Sequence, residues 1–285
     1  MNSPIMRALR RLFILAIGFA VIYILVRRVY PWLDTYVPAI AALFIVYLVG
    51  AYFALPLVFR IALIIWRPTH IPTFSYTVDG QRGDPVNIGI VATESELKQI
   101  MFDAGWYTAD PLSFRTSFKT VLATIFNRSY KTAPFSNLYL FGRHHDYGFQ
   151  LPITKSPRKR HHVRFWACVP TENPTFRDHV EFWLERHDFK KRRRQKEKTY
   201  LWVGGATCDV GIGIIRWNGQ ITHTINEDTS AERDFLIDTI NKAGYDCKIT
   251  TLQAHEPFRF KSHAFGGSVM PDGKIKVCEP TFKKK

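Results

Sequence analysis

The sequence predicts an α+β domain with a mainly antiparallel sheet and flanking helices, preceded by a two-helix transmembrane hairpin. Three observations support this prediction. Two long uncharged segments lie within the first 67 residues, and helix-start signals and β-rich runs mix through the rest without a strict βαβ rhythm. In addition, Asn218-Gly219 separates two β-rich runs, as the turn of a type I′ hairpin does.

Residues 1–67 are predicted to form a membrane anchor, with spans at about 12–33 and 36–59. Residues 36–59 carry no charged side chain, and a bilayer core takes about 20 apolar residues of helix. The first span continues past Arg27 and Arg28, whose long side chains can reach the interface. The alternatives are a cleaved signal peptide or two buried core helices. The arginine pair stands where a small-residue cleavage site would be, which favours the anchor.

Basic residues flank both ends of the predicted hairpin, so the N-terminus and the soluble domain are expected in the cytoplasm. The external loop would then be short. The cysteines show no CxxC spacing and are predicted to be reduced thiols in this compartment. The flanking arginines are Arg7, Arg10, Arg11, Arg60, Arg67 and Arg82.

Proline and glycine punctuate residues 68–89, which are predicted to be a linker, and the soluble domain follows at 90–285. Thr93 to Glu96 forms a capping box that opens a helix ending at Gly105. Asp110-Pro111 is interpreted as the start of a second helix that reaches about residue 126.

The remaining elements of the domain are predicted from β-rich runs and from a second capping box. Strands are expected at 136–141, 162–169 and 249–252, the last of these closing the fold. A hairpin is expected over 212–225 and a helix over about 229–243.

The net charge is +15, and much of the soluble domain's excess lies in one run, KKRRRQKEK at 190–198. This run follows a predicted amphipathic helix at 176–187. Next to a membrane, such a segment suggests contact with anionic phospholipid heads, each basic side chain contributing roughly 1 kcal/mol. A solvated loop explains the same residues, whereas nucleic acid is not expected because no nucleic-acid motif is present. The side chains assigned to lipid contact are Lys190, Lys191, Arg192, Arg193 and Arg194.

Six phrases occur in the soluble domain in a fixed order. They are GWYTADPLS at 105–113, YLFGR at 139–143, SPRKRHHVRFW at 156–166, WVGGAT at 202–207, GQITH at 219–223 and AERDFL at 231–236. Together they resemble the LssY C-terminal domain family of bacterial membrane proteins.

The resemblance implies a place in the bacterial inner membrane but no assigned activity. Similar domains occur attached to membrane segments of DedA type or of the type-2 phosphatidic acid phosphatase kind, which associates them with lipid-phosphate chemistry. This chain departs from the pattern by a basic helical insertion at about 171–199. It also has Cys208 where an aromatic residue is typical, although Asp209 matches the usual acid.

Histidines on two predicted strands suggest a catalytic or metal site. His161 shares a strand face with Val163 and Phe165, and His223 lies between two isoleucines, so both are expected to point inward and to meet. With Asp209 they would form an acid/base or metal-ligand set. Hydrogen-bonded core histidines are the structural alternative, because HExxH, HxH and metal-like cysteine spacings are absent from the sequence.

Arginines around the histidine pair suggest recognition of phosphate, whose oxygens suit the guanidinium fork. The leading hypothesis is an integral membrane protein whose domain recognises anionic lipid headgroups or phosphate groups at the bilayer surface. The alternative is a metal-assisted phosphoesterase that uses His161, His223 and Asp209. Gly204-Gly205 fits no phosphate-loop pattern and is interpreted as a bulge or turn. The arginines assigned to phosphate are Arg143, Arg158, Arg160 and Arg164.

Overall fold

The computed structural model describes residues 4–54, 58, 72–77, 80–141, 143–168, 199–214, 221–261 and 268–282. The chain divides into two compact units. The first comprises Met1–Arg67, Val78–Gly80 and Phe141–Arg143, and the second comprises the rest. The basic run at 190–198, the helix predicted before it and the turn at 218–219 lie outside the described residues.

The N-terminal unit is helical. α1 (Pro4–Ile24) continues through a π-helical turn (Leu25–Val29) into α2 (Tyr30–Asp34). Within the described residues, one helix, Leu15–Asp34, is long and apolar enough to cross a membrane, with a mean hydropathy of 1.4.

A second apolar helix follows but is short. α3 (Ala39–Val49) has 11 residues and continues into a π-helical turn at Gly50–Ala54. About 20 residues are needed for a span. One N-terminal apolar helix is therefore supported, and the two-span hairpin stays a prediction.

The first helix of the domain is confirmed and the second begins later than predicted. α4 (Glu94–Asp103) has the expected capping box between Thr93 and Glu96. α5 (Phe114–Ile125) is capped by Ser113 instead of Asp110. The predicted start was wrong because the Asp110 carboxylate accepts hydrogen bonds from the Tyr130 and Thr132 hydroxyls, at 2.6 and 3.0 Å.

α6 (Thr229–Lys242) is also capped one residue earlier than predicted. The Asp228 side chain accepts hydrogen bonds from the backbone N–H groups of Ser230 and Ala231. Glu232, which the predicted capping box used, is therefore free to contact the sheet instead.

The domain is built on an eight-stranded sheet with the order β11-β14-β3-β9-β8-β7-β4, and β10 pairs with β9. Its pairings are antiparallel except that between β14 and β3. The α+β prediction is thus confirmed, but the predicted last strand is followed by β14. The strands are β3 (Ile88–Ala92), β4 (Tyr107–Thr108), β7 (Tyr147–Pro152), β8 (Arg160–Cys168), β9 (Tyr200–Ile214), β10 (Ile221–Ile225), β11 (Tyr245–Gln253) and β14 (Lys274–Phe282).

Two smaller sheets accompany the large one. The four-stranded sheet has the order β2-β1-β5-β6, and β12 pairs with β13. β1 and β2 lie in the segment 68–89 that the sequence predicts to be a linker, and the strand expected at 136–141 is only two residues long. The strands are β1 (Phe74–Tyr76), β2 (Arg82–Pro85), β5 (Tyr139–Leu140), β6 (Arg143–His144), β12 (Phe260–Lys261) and β13 (Ser268–Val269).

One face of the large sheet packs against α4 and α6 and forms the apolar core. Alternate residues of a strand share a face, so β8 contributes Val163 and Phe165 to this side. They are fully buried in one cluster with Leu97 of α4 and with Leu236 and Ile240 of α6. Because the odd-numbered residues of β8 lie here, the even-numbered ones face the opposite layer.

Gly205 in β9 allows β2 to approach the sheet closely. A Cβ atom at Gly205 would lie 2.7 Å from the carbonyl oxygen of Pro85 and 2.8 Å from the Cβ of Asp84. The interpretation of this glycine as a bulge or turn residue was wrong. It lies within a regular ladder and is needed for the contact between the two layers.

Cys247 of β11 and Cys278 of β14 form a disulfide, with their Cα atoms 5.2 Å apart. The prediction of reduced thiols was wrong for this pair. The strand register brings together two cysteines 31 residues apart, which sequence spacing does not reveal. Cys168 and Cys208 are buried and take no part in a disulfide.

Candidate functional site

A buried polar cluster lies on the face of the large sheet opposite α4 and α6. Arg160, His162 and Arg164 alternate along β8, and each is at most 5% exposed. Asp209 of β9 is the register partner of Arg160, and Gln150 of β7 is the register partner of His162. Strand alternation therefore gathers three basic side chains, a carboxylate and an amide within the interior.

Asp209 is the centre of this polar cluster. Its Oδ2 accepts a hydrogen bond from Arg160 Nε at 2.9 Å, and both side chains are 2% exposed. His162 Nδ1 lies 3.4 Å from the other carboxylate oxygen. His223 Nδ1 lies 3.6 Å from Oδ2. A second nitrogen of Arg160, Nη1, donates to Gln150 Oε1 at 2.7 Å.

Asp84 of β2 supplies the second carboxylate. Arg164 Nη1 donates to it, and His162 Nε2 lies 3.7 Å from its Oδ2. Thr207 Oγ1 is 2.7 Å from the same imidazole nitrogen. The Phe135 ring lies beneath both guanidinium groups, 5.3 Å from that of Arg160 and 4.4 Å from that of Arg164. Two layers of the domain are thus joined through charged groups.

The electrostatics of the cluster keep both carboxylates ionised. Burial alone raises the pKa of Asp209, but His162, His223 and Arg160 outweigh it and lower this pKa to about 2. The pKa of Asp84 is also lowered, because Arg164 and His162 outweigh the effect of burial. Two guanidinium groups are therefore matched by two carboxylates.

Two histidines beside the carboxylates, His145 and His223, have lowered pKa values and are neutral at pH 7. Burial lowers the pKa of His145 to about 3, and the Arg164 charge adds to the effect. Burial also lowers the pKa of His223, although the Asp209 carboxylate opposes this. Neutral imidazoles beside an ionised carboxylate can accept protons at neutral pH.

Several polar atoms of the cluster have no hydrogen-bond partner within the described part of the chain. They include Arg160 Nη2, Arg164 Nε, Asp84 Oδ1 and His145 Nδ1. Buried polar atoms normally have partners in the protein or in ordered water. Such a concentration of buried polar atoms without partners on one side of a sheet is typical of a functional site.

His223 connects the cluster with solvent. A β-bulge between Thr224 and Ile225 makes Ile225 the register partner of Asp209. His223 is two residues before Ile225 and therefore lies on the same face of β10 as Ile225. The side chain of His223 is 31% exposed, while its Nδ1 is buried and faces Asp209. The sequence prediction that His223 and Asp209 lie together agrees with this geometry.

His161 does not join them, which corrects the predicted set of three. It lies on the other face of β8, where its Nδ1 is 2.7 Å from Glu232 Oε1. Its ring stacks on that of Phe235, with the centroids 4.2 Å apart. The prediction was wrong because both histidines point into the domain but from opposite sides of the large sheet.

The predicted phosphate-binding arginines have different environments. Arg160 and Arg164 are buried and bound to carboxylates, so neither forms part of an exposed basic surface. Arg158 is exposed, and its Nη2 donates to the carbonyl oxygen of Thr124 at 2.8 Å. Arg143 is buried at the start of β6. The five basic residues assigned at 190–194 lie outside the described residues.

Sequence reasoning missed Asp84, Gln150 and the central position of His162. Asp84 lies in the segment predicted to be a linker, so no sequence pattern indicated that it belongs to a site. His162 did carry such a signal, because Arg160, His162 and Arg164 occupy every second position of a strand whose other face includes Val163 and Phe165. Basic side chains at every second position of a strand that is apolar on its other face predict a polar interior layer.

Comparison with known protein families supports the resemblance found in the sequence. No curated protein and no solved structure matches this chain. The family described as LssY C-terminus matches residues 68–275, which include the polar cluster, α4 and α6. The chain belongs to the LssY C-terminal domain family.

Proposed function

We propose that the domain hydrolyses a phosphate ester at a membrane surface, with His223 as the general base and Asp209 as the group that orients it. The observation that carries this proposal is the pairing of a buried carboxylate with a histidine that is 31% exposed, at 3.6 Å. Catalytic hydrogen bonds are often longer in a ligand-free enzyme and tighten when substrate binds.

The protonation states support a base rather than an acid. Because burial lowers the pKa of His223, its imidazole is neutral at pH 7 and Nε2 can take a proton from water. The hydroxide forms a bond to phosphorus as the bond from phosphorus to the ester oxygen breaks, and the leaving oxygen then takes the proton from the His223 imidazolium. Asp209, ionised with a pKa of about 2, stabilises the imidazolium that results.

Exposed basic side chains favour a phosphate-bearing substrate. The turn before β8 carries Lys155, Arg158 and Lys159, all exposed, and it leads directly into Arg160, the partner of Asp209. Lysine and arginine bind phosphate oxygens through charge-assisted hydrogen bonds. The association of similar domains with lipid-phosphatase segments points to the same class of substrate.

The test uses the full chain in detergent and measures phosphate release from phosphatidic acid and from p-nitrophenyl phosphate. His223→Gln should lower the rate by about 10²–10⁴-fold, the usual contribution of a general base. His255→Ala is the matched control, because the imidazole of this partly exposed histidine contacts the local carbonyl oxygen of Glu256 and the Phe258 ring. A folded His223→Gln protein with an unchanged rate would refute the proposed base.

Headgroup binding without turnover is the second candidate. It is favoured by the exposed Lys155, Arg158 and Lys159 together with the basic run at 190–198. Hydrogen exchange of residues 153–159 would be compared in nanodiscs of phosphatidylcholine with and without phosphatidylglycerol. Slower exchange in anionic nanodiscs, with no phosphate release from either ester, would establish binding in place of hydrolysis. Equal exchange rates would argue against lipid contact by this turn.

The structure favours an orientation opposite to the cytoplasmic one expected from the sequence. Disulfides such as Cys247–Cys278 persist in oxidising compartments, which favours a domain outside the cytoplasm. A single crossing by Leu15–Asp34, with the basic N-terminal residues inside, gives the same placement. We therefore propose an inner-membrane protein with an extracytoplasmic domain. Alkaline phosphatase fused after residue 285 should be active, whereas an active cytoplasmic reporter at that position would exclude this orientation.

A further inference from the structure

A second group of chemically reactive side chains lies on the opposite side of the large sheet from Asp209. It consists of His161 of β8, Cys208 of β9 and Glu232 of α6. His161 and Cys208 are direct register partners, so their side chains share a face. Asp228 caps the N-terminus of α6 and so fixes the position of its first turn. Glu232, in this turn, lies beside His161. The donor nitrogen, sulfur and oxygen atoms lie within 4.8 Å of one another.

The donor set matches the preferences of a zinc-like ion. Zinc takes imidazole nitrogen, thiolate sulfur and carboxylate oxygen at about 2.0–2.3 Å, which places tetrahedral ligands about 3.3–3.6 Å apart. His161 Nδ1 and Glu232 Oε1 are now 2.7 Å apart. A small outward movement of this pair and a small inward movement of the thiol would reach that spacing.

The surroundings resemble a site with one open coordination position. The Phe235 ring stacks against His161 at 4.2 Å, and the Trp106 ring lies 6.5 Å from it, so two aromatic walls fix the imidazole. The side chains of His161 and Glu232 are 20% and 8% exposed, so solvent reaches the group from one side. Three protein ligands with solvent access leave a position for water or substrate.

We propose that His161, Cys208 and Glu232 bind one divalent ion of the zinc class, with solvent as the fourth ligand. The site is independent of the proposed hydrolysis, because His223 and Asp209 lie on the other face of the sheet. It also replaces the predicted metal set of His161, His223 and Asp209 with one whose atoms do converge.

The experiment uses the full chain in detergent, purified without chelator or histidine tag, with elemental analysis followed by titration of the metal-free protein with Co²⁺. We expect one ion per chain and a near-ultraviolet thiolate-to-cobalt band. Cys208→Ser should abolish the band, and Glu232→Gln should weaken binding at least tenfold. Cys168→Ser is the matched control, since the other two cysteines form the disulfide.

Each outcome bears on the proposal. Absence of bound ion, or a Co²⁺ spectrum without a thiolate band, would overturn it. Retention of the band in folded Cys208→Ser protein would overturn it as well. If that variant does not fold, the wild-type spectrum and the Glu232→Gln affinity decide the matter, because Cys168 is the single alternative thiolate.

Discussion

Replacing Asp209 by Asn tests how much the charge at the centre of the polar cluster contributes to the stability of the domain. The substitution preserves shape but leaves Arg160, which is 2% exposed, without its carboxylate. Breaking a buried ion pair by removing one partner costs about 3–5 kcal/mol. The depressed pKa gives a second figure: a fall from 3.8 to about 2 corresponds to about 2 kcal/mol at neutral pH.

We therefore expect Asp209→Asn to lower the free energy of unfolding by about 2–5 kcal/mol. Urea unfolding of the full chain in detergent would be followed by tryptophan fluorescence, because Trp166 and Trp202 are fully buried. The control is Asp238→Asn, which removes an exposed pair with Lys242 and should change the free energy by less than about 0.5 kcal/mol.

The pH dependence provides an independent check of the same charge. A carboxylate whose pKa is depressed by folding contributes stability above its unfolded pKa of 3.8. That contribution is lost as the pH falls from about 4 to about 2, and Asp209→Asn should lack this part of the curve. A loss below about 1 kcal/mol at neutral pH, or an unchanged acid limb, would refute the reasoning.

Three further predictions concern other parts of the domain. Gly205→Ala should lower stability by about 1–3 kcal/mol in urea unfolding because it forces β2 away from the sheet, whereas Gly211→Ala, with open space around it, should not. Cys247→Ser should cost about 3–4 kcal/mol, the loop-closure value for 31 residues, and should abolish the mobility shift between reduced and non-reduced gels. His145 stays neutral when folded, so wild-type stability should fall by up to about 1.4 kcal/mol per pH unit below pH 6.5, and His145→Gln should reduce this slope.

Local patterns in the sequence predicted much of the domain's secondary structure. The capping box at Thr93 and the stop at Gly105 depend only on neighbouring residues, and α4 confirms them. The start of α5 was misplaced because the Asp110 side chain is held by Tyr130, a contact between distant residues. The preference of Asp for helix N-caps was therefore outweighed at Asp110 by a tertiary hydrogen bond.

The candidate site was predicted in part for the same reason. Strand alternation correctly made His161 and His223 point inward, but alternation within a strand does not say which side of a shared sheet each one faces. That choice depends on the register between β8 and β9 and on the bulge at Ile225. Asp84 reaches the cluster because the glycine at position 205 admits β2, which no local pattern indicates.

The position of β14 has a consequence for how the chain folds. This strand lies between β11 and β3 in the sheet, and it pairs with β3 in parallel although more than 180 residues separate them along the chain. The sheet cannot close around β3 until residues 274–282 have left the ribosome. Such long-range pairing forms slowly, and strand edges stay unpaired until it has formed. We therefore expect the domain to complete its folding after synthesis. In the intermediate that precedes this step, the unpaired edge of β3 is the surface most prone to aggregation.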